Sequence, residues 1–224
     1  MNTDVHYMRW AGIAMVCTML TGCATVRQAV LPVRPGYQPD NIFLAEREIP
    51  ASLRRVVVLP LTCNENRSDL LAGRDALELV LVSEFIKTKK FEVVTISPED
   101  LRRLTGRPRW HAEDALPNGF FEKLREAYNC DGVLFGEVTE FRGYAPMAVG
   151  WRIKLVDARS CSAVWAGDEQ FDAGQPAVQA GLCRFSRNEQ WNISSRNGDW
   201  VALNSPRRLA QYAAAQLLET LPDR

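Results

Sequence analysis

Arg55-Val-Val-Val-Leu-Pro-Leu61 is an almost unbroken run of β-branched and aliphatic side chains in a 224-residue chain. A strand with one wet face alternates apolar and polar residues, whereas a run that is apolar at nearly every position is buried on both faces. Such strands belong to the parallel part of an α/β sheet, so this heptapeptide reads as the first core strand. A parallel neighbour requires a crossover, and the next forty residues have the pattern of one.

Downstream, Asp69 is a plausible helix start, and Leu77, Val80, Leu81 and Phe85 recur at helical spacing until the basic end Lys87-Thr88-Lys89-Lys90. Phe91 to Ile96 reads as a second short strand. Ser97-Pro98-Glu99-Asp100 then opens another helix, with serine as cap, proline at the first helical position and acids in the first turn. This β-α-β order calls for a right-handed crossover and parallel strands.

Pro108 to Asn118 lacks periodicity and reads as a loop. Phe120, Phe121, Leu124, Ala127 and Tyr128 have helical spacing and lead into the buried strand Asp131-Gly-Val-Leu-Phe-Gly-Glu-Val138. Met147 to Leu155 alternates and looks antiparallel, with Ala163 to Phe171 as its hairpin partner after a turn at Asp157 to Ser162. Residues 172–204 are polar, with Trp191 and Trp200 either side of an Asn197-Gly198 turn signal, and read as a small hairpin or a loop. Ser205-Pro206 starts a closing helix striped by Leu209, Tyr212, Ala213, Leu217 and Leu221. The expected fold class is therefore α/β, a mixed sheet in the order β-α-β-α-α-β-β-β-α with helices packed on it.

Upstream of this domain, MNTDVHYMRWAGIAMVCTMLTG (residues 1–22) pairs a short polar start ending at Arg9 with an apolar stretch from Trp10 to Leu20. That is the shape of an export signal, and the apolar part falls well short of the ~20 residues that span a bilayer as a helix. Leu20-Thr21-Gly22-Cys23 resembles the lipobox of bacterial lipoproteins. The resemblance implies cleavage after Gly22 and three acyl chains (palmitate among them) on Cys23. Several chains hold permanently where one would not. Ala24, in place of aspartate, fits the outer-membrane sorting pattern of that family. Residues 23–50, with Pro32, Pro35, Pro39 and Pro50, read as the lipidated cysteine and a flexible tether, and 51–224 as a periplasmic α/β domain. About 25 tether residues reach at most ~90 Å when stretched.

The whole chain carries 27 acids and 27 bases, and losing residues 1–22 removes one of each, Asp4 and Arg9. A neutral surface offers no electrostatic reason for nucleic acid as a partner. Besides Cys17 and Cys23, the chain has Cys63, Cys130, Cys161 and Cys183. In an oxidising compartment these permit two disulfides in any of three connectivities, or remain buried thiols. No CxxC pair is present, so neither a redox motif nor a zinc knuckle is indicated.

Catalytic chemistry finds little support. The single histidine after the signal, His111, lies in the expected loop, and no GxSxG elbow provides a nucleophile for it. No phosphate-cradling GxxxxGK[ST] or GxGxxG follows a strand. Glu137 and Glu140, near the end of the Asp131 to Val138 strand, could be read as a glycan-cleaving acid and base, which such chemistry needs about 5 to 9.5 Å apart, but Glu-x-x-Glu pairs are common without catalysis. Structural roles are favoured for both. Lys87 to Lys90 and Arg207-Arg208 read as solvated helix faces. No catalytic residue, metal or cofactor is assigned.

Arg55-Val-Val-Val-Leu-Pro-Leu61, Cys130-Asp-Gly-Val-Leu-Phe-Gly-Glu-Val-Thr-Glu140 and Ile153-Lys-Leu-Val-Asp-Ala-Arg159 followed by Val164-Trp165 together resemble one group of envelope lipoproteins. It is the group sharing the fold of the curli secretion lipoprotein CsgG, the penicillin-binding-protein activator LpoB and the amino-terminal domain of TolB. The likeness covers about residues 53–172 and the closing helix. It implies a non-enzymatic outer-membrane lipoprotein that docks envelope proteins, activates them or assembles with them or with its own copies. The alternative is a ring-forming secretion subunit like the curli lipoprotein, and a cell-wall hydrolase is the third reading. Glu140 to Met147 is too short to hold membrane-spanning hairpin strands of ~9–11 residues.

Overall fold

The valine-rich run does become a strand buried on both faces. In a computed structural model of the chain, which describes residues 36–189 and 203–224, Val56, Val57 and Val58 are all buried. The described residues form strands β1 (Ile42–Leu44), β2 (Arg55–Val58), β3 (Thr62–Cys63), β4 (Glu92–Thr95), β5 (Gly132–Arg142), β6 (Ala148–Asp157) and β7 (Ala163–Asp172). The helices are α1 (Ser68–Lys87), α2 (Pro98–Thr105), α3 (Phe120–Tyr128), α4 (Pro176–Glu189) and α5 (Pro206–Glu219). One sheet takes all seven strands in the order β1-β7-β6-β5-β2-β4, and β3 continues beside β5. Strand β2 is parallel to both β4 and β5, with Val57 opposite Val94 and Val133. The β5-β6-β7 meander and β1 are antiparallel. The α/β class, the parallel crossover and the antiparallel hairpin thus agree with the sequence pattern.

Side-chain alternation divides the core in two. Val56 and Val58, Leu134 and Val138, and Trp151, Ile153 and Leu155 face one way, against α1, α4 and α5. Val57, Leu59, Val133 and Phe135 face the other way, against α2, α3 and Trp110. Helix α1 lies tight on β5, because a Cβ at Gly136 would come within 2.5 Å of Leu81 and 2.6 Å of Leu61. Local signals set the helix ends. The Ser97 hydroxyl accepts from the Asp100 amide at 3.1 Å and the Ser205 hydroxyl from the Arg208 amide at 3.3 Å.

Two stretches differ from the sequence pattern. Pro176–Glu189 is helix α4, where a hairpin or loop was expected. Its inward positions are Val178, Leu182, Cys183 and Ser186, and Gly181 sits against Tyr212, where any Cβ would collide with the phenol oxygen. A contact face that shares Val178 and Leu182 with glycine, cysteine and serine carries only a weak hydrophobic period. The Asn197-Gly198 turn and its flanking tryptophans lie outside the described residues, as do Gly22, Cys23 and the signal. The second difference is at Ile42–Leu44, in the stretch expected to be tether, which forms β1 on β7 with Phe43 opposite Ala166. Ile49 is buried as well, and its amide donates to the Asp223 carbonyl at 2.9 Å. No helix among the described residues is long and apolar enough to cross a membrane.

Candidate functional site

Among the described residues strand β1 ends the sheet, and none of them pairs with its outer side. The Asp168 amide donates to the Asn41 carbonyl at 3.2 Å, and the Ala45 amide donates to the Val164 carbonyl at 3.0 Å. Antiparallel pairing alternates, so Ile42 and Leu44 turn their N–H and C=O groups outward, where no strand among the described residues receives them. Phe43 is 52% exposed and Leu44 48%, both large apolar groups. An open strand edge of this kind accepts an added strand from another chain.

A buried carboxylate holds this edge in place. Glu169 of β7 accepts the Tyr37 hydroxyl at 2.5 Å and the amides of Asp40 and Asn41 at 2.7 and 2.9 Å. Burial pushes the Glu169 carboxyl up, but the Asn41 amide, the Tyr37 hydroxyl and the Asp40 donors outweigh it and leave it below its ordinary value. The same contact, with burial as the larger cause, holds the Tyr37 phenol well above its usual range. Three donors from residues 37–41 on one acceptor orient the chain as it enters β1.

On the face away from α1, helices α2 and α3 cover the β4-β2-β5 half of the sheet, and charged side chains of β6 and β7 stand beside Phe43 and Ala166 on the rest. Arg152 stands opposite Glu137 on one side and Asp168 on the other. Its Nε donates to Asp168 at 2.8 Å and its Nη1 to Glu137 at 3.2 Å. The hydrogen bond to Asp168 raises the guanidinium above its usual value despite some desolvation. His111 Nδ1 approaches the same Glu137 oxygen at 3.5 Å. Next to this ladder, a groove of about 460 Å³ is lined by Asn41, Phe43, Arg152, Lys154, Ala166 and Asp168. A larger cleft of about 720 Å³ lies between α1, α4 and α5, where Lys87 pairs with buried Glu84 at 2.8 Å.

The two carboxylates singled out from sequence part company in space. Glu137 joins His111 and Arg152, while Glu140 pairs with Arg67 at 3.3 Å beyond a bulge in β5. Each carboxylate is thus engaged by its own arginine, and neither lines the groove. No disulfide joins any two of Cys63, Cys130, Cys161 and Cys183, and Cys183 is buried on α4. Cys63 and Cys130 lie in the two separate cores on opposite faces of the sheet. Burial raises both thiols. Lys90 is not a solvated helix end, since its ammonium donates to the Leu221 and Pro222 carbonyls at 2.8 and 2.7 Å and pins the C-terminal segment. No group of three or more metal-binding side chains converges among the described residues. Sequence reasoning missed Phe43, Leu44 and Glu169. The only available signal was Ile42-Phe43-Leu44, an apolar triplet placed among prolines.

The chain matches no protein-family model and no curated protein sequence. Solved structures similar to it include the PelC dodecamer from Paraburkholderia phytofirmans, at 16% identity over 82% of this chain and 96% of that one, with a TM-score of 0.44. The lipoprotein GNA1162 from Neisseria meningitidis is 18% identical over 62% of this chain and 97% of its own, with a TM-score of 0.42. The LpoB C-terminal domain from Salmonella enterica is 14% identical over 54% of this chain and 83% of its own, with a TM-score of 0.34.

Proposed function

We propose that the chain is a non-enzymatic lipoprotein of the cell envelope. It is cleaved after Gly22, held in the outer membrane by lipid on Cys23, and displays its α/β domain in the periplasm as a docking module. The observation that supports docking is the β1 edge. Ile42 and Leu44 present unmet backbone groups beside exposed Phe43, on a strand whose approach is pinned by Glu169. An extended segment of an envelope protein adds there as a strand, and its side chains reach the groove that Arg152, Lys154 and Asp168 line. Among the residues lining the groove, Arg152 and Lys154 balance Glu113 and Asp168, so the groove selects by shape and hydrogen bonding more than by net charge.

Leu44→Pro tests the docking surface, because it removes an amide that points away from β7 and is compatible with an edge strand. The expected result is an unchanged melting temperature together with loss of in-cell crosslinks from a photoreactive residue at position 43 to its envelope partner. Crosslinks that persist unaltered would overturn the docking edge. Separately, Cys23→Ser is expected to move the protein from the membrane to the soluble periplasmic fraction, and retention in the membrane would overturn the lipid anchor.

A further inference from the structure

Helix α1 is apolar on two sides. Its inner side buries Leu70, Leu77, Val80, Leu81 and Phe85. Ala72, Ala76, Leu79, Ser83 and Ile86 on its outer side are all exposed, Leu79 to 76% and Ile86 to 53%. These five follow a 4-3-4-3 spacing, the seam that packs one helix along another. A surface helix ordinarily puts charge on its outward face. Here, between Asp75 and Lys87, the exposed positions are Ala76, Leu79, Ser83 and Ile86, none of them charged.

The stripe is complementary to its own reverse. Small residues, Ala72 and Ala76, stand at its start and the bulky Ile86 at its end. The ends also differ in charge. Glu65, Asp69, Asp75 and Glu78 outnumber Arg67 and Arg74 around the first half, whereas exposed Lys87 and Lys89 stand at the last turn, where Glu84 is buried beneath Lys87 and Lys90 is tied to Asp223. When two such helices run antiparallel about Leu79, Ala72 of one copy faces Ile86 of the other, Ala76 faces Ser83, and acidic start meets basic end. The helix dipoles also oppose. A two-fold pairing is the geometry in which one patch serves both partners.

We propose that the outer face of α1 is a self-association surface on which a second copy of this chain packs its own α1 antiparallel. The α1 face and the β1 edge lie on different parts of the molecule, so the two surfaces stand or fall separately. The test uses full-length lipidated protein in membranes, in a Cys161→Ser background that removes the exposed thiol. Leu79→Cys, which sits on the two-fold axis, is expected to give a disulfide-linked dimer on mild oxidation, while Glu219→Cys on α5 gives none. In detergent, Leu79→Glu is expected to weaken dimerisation at least tenfold with an unchanged melting temperature, because it sets like charges across the axis at an exposed site. Absence of the 79–79 crosslink, or a dimer indifferent to Leu79→Glu, would overturn the proposal and leave the stripe covered by the chain's own residues or by a different protein.

Discussion

Strands β2 and β1 belong to one sheet and are held in opposite ways. At the centre, Val56, Val57 and Val58 lie against two apolar cores, and β2 is paired on both sides by β4 and β5. At the rim, Phe43 and Leu44 stay about half in water, and β1 is steadied by polar contacts from outside it, where Glu169 gathers Tyr37, Asp40 and Asn41. Hydrophobic burial makes the centre non-negotiable, while directional hydrogen bonds hold the rim and leave one side of it unfilled. That unfilled side is where another chain has room to bind.

The largest effect is expected from breaking the centre. Val57→Asp places a carboxylate in the second core with no partner, at a cost above about 4 kcal/mol. The expected outcome is loss of the cooperative urea transition, and a native-like midpoint would mean that β2 is not enclosed on both faces.

An intermediate effect is expected at the rim's anchor. Glu169→Gln turns one acceptor oxygen into a donor facing donors, and loses about 2 to 3 kcal/mol from hydrogen bonds to a charged group. Limited proteolysis should then cut between residues 36 and 45 well before the sheet melts. Acid should act on the same contact. The folded-state carboxyl of Glu169 lies below its ordinary value, so its contribution is complete above the unfolded value and is lost as pH falls through the folded one. Proteolysis of the 36–45 segment should therefore rise as pH drops below the ordinary glutamate range in the parent protein. In Glu169→Gln it should be high and nearly pH-independent.

The smallest effect on stability is expected from Phe43→Ser, under about 0.5 kcal/mol for an exposed side chain. Its melting temperature should match the parent's while crosslinking to the docked segment from a photoreactive residue at position 44 weakens. A large drop in melting temperature would show that Phe43 belongs to the fold and not to a binding edge.

Legibility tracked the range of the interactions. The β2-α1-β4 unit was readable because Val56 to Val58 and the Leu77, Val80, Leu81, Phe85 spacing carry their burial in the local pattern. Helix α2 was readable from Ser97 and Pro98, whose capping roles are decided within four residues. Helix α4 was not, since it packs through Gly181, Cys183 and Ser186 and its partner Tyr212 arrives about thirty residues later. Glu137 and His111 were noticed separately, but their meeting at 3.5 Å depends on the loop after α2 folding over β5.

The amino-acid sequence by itself determined the α/β class, the parallel crossover, the antiparallel hairpin and the capped helix starts. Each depends on residues close enough in the chain to express a period or a cap. The tertiary structure alone decided that Ile42–Leu44 is a strand, that Glu169 anchors it, that Arg152 joins Glu137 to Asp168, and that α1 keeps an apolar face in solvent. The physical reason is that hydrogen-bond partners and buried faces are fixed by neighbours in space. An edge or a stripe left uncovered by the described residues is recognised only when those residues have been placed in space.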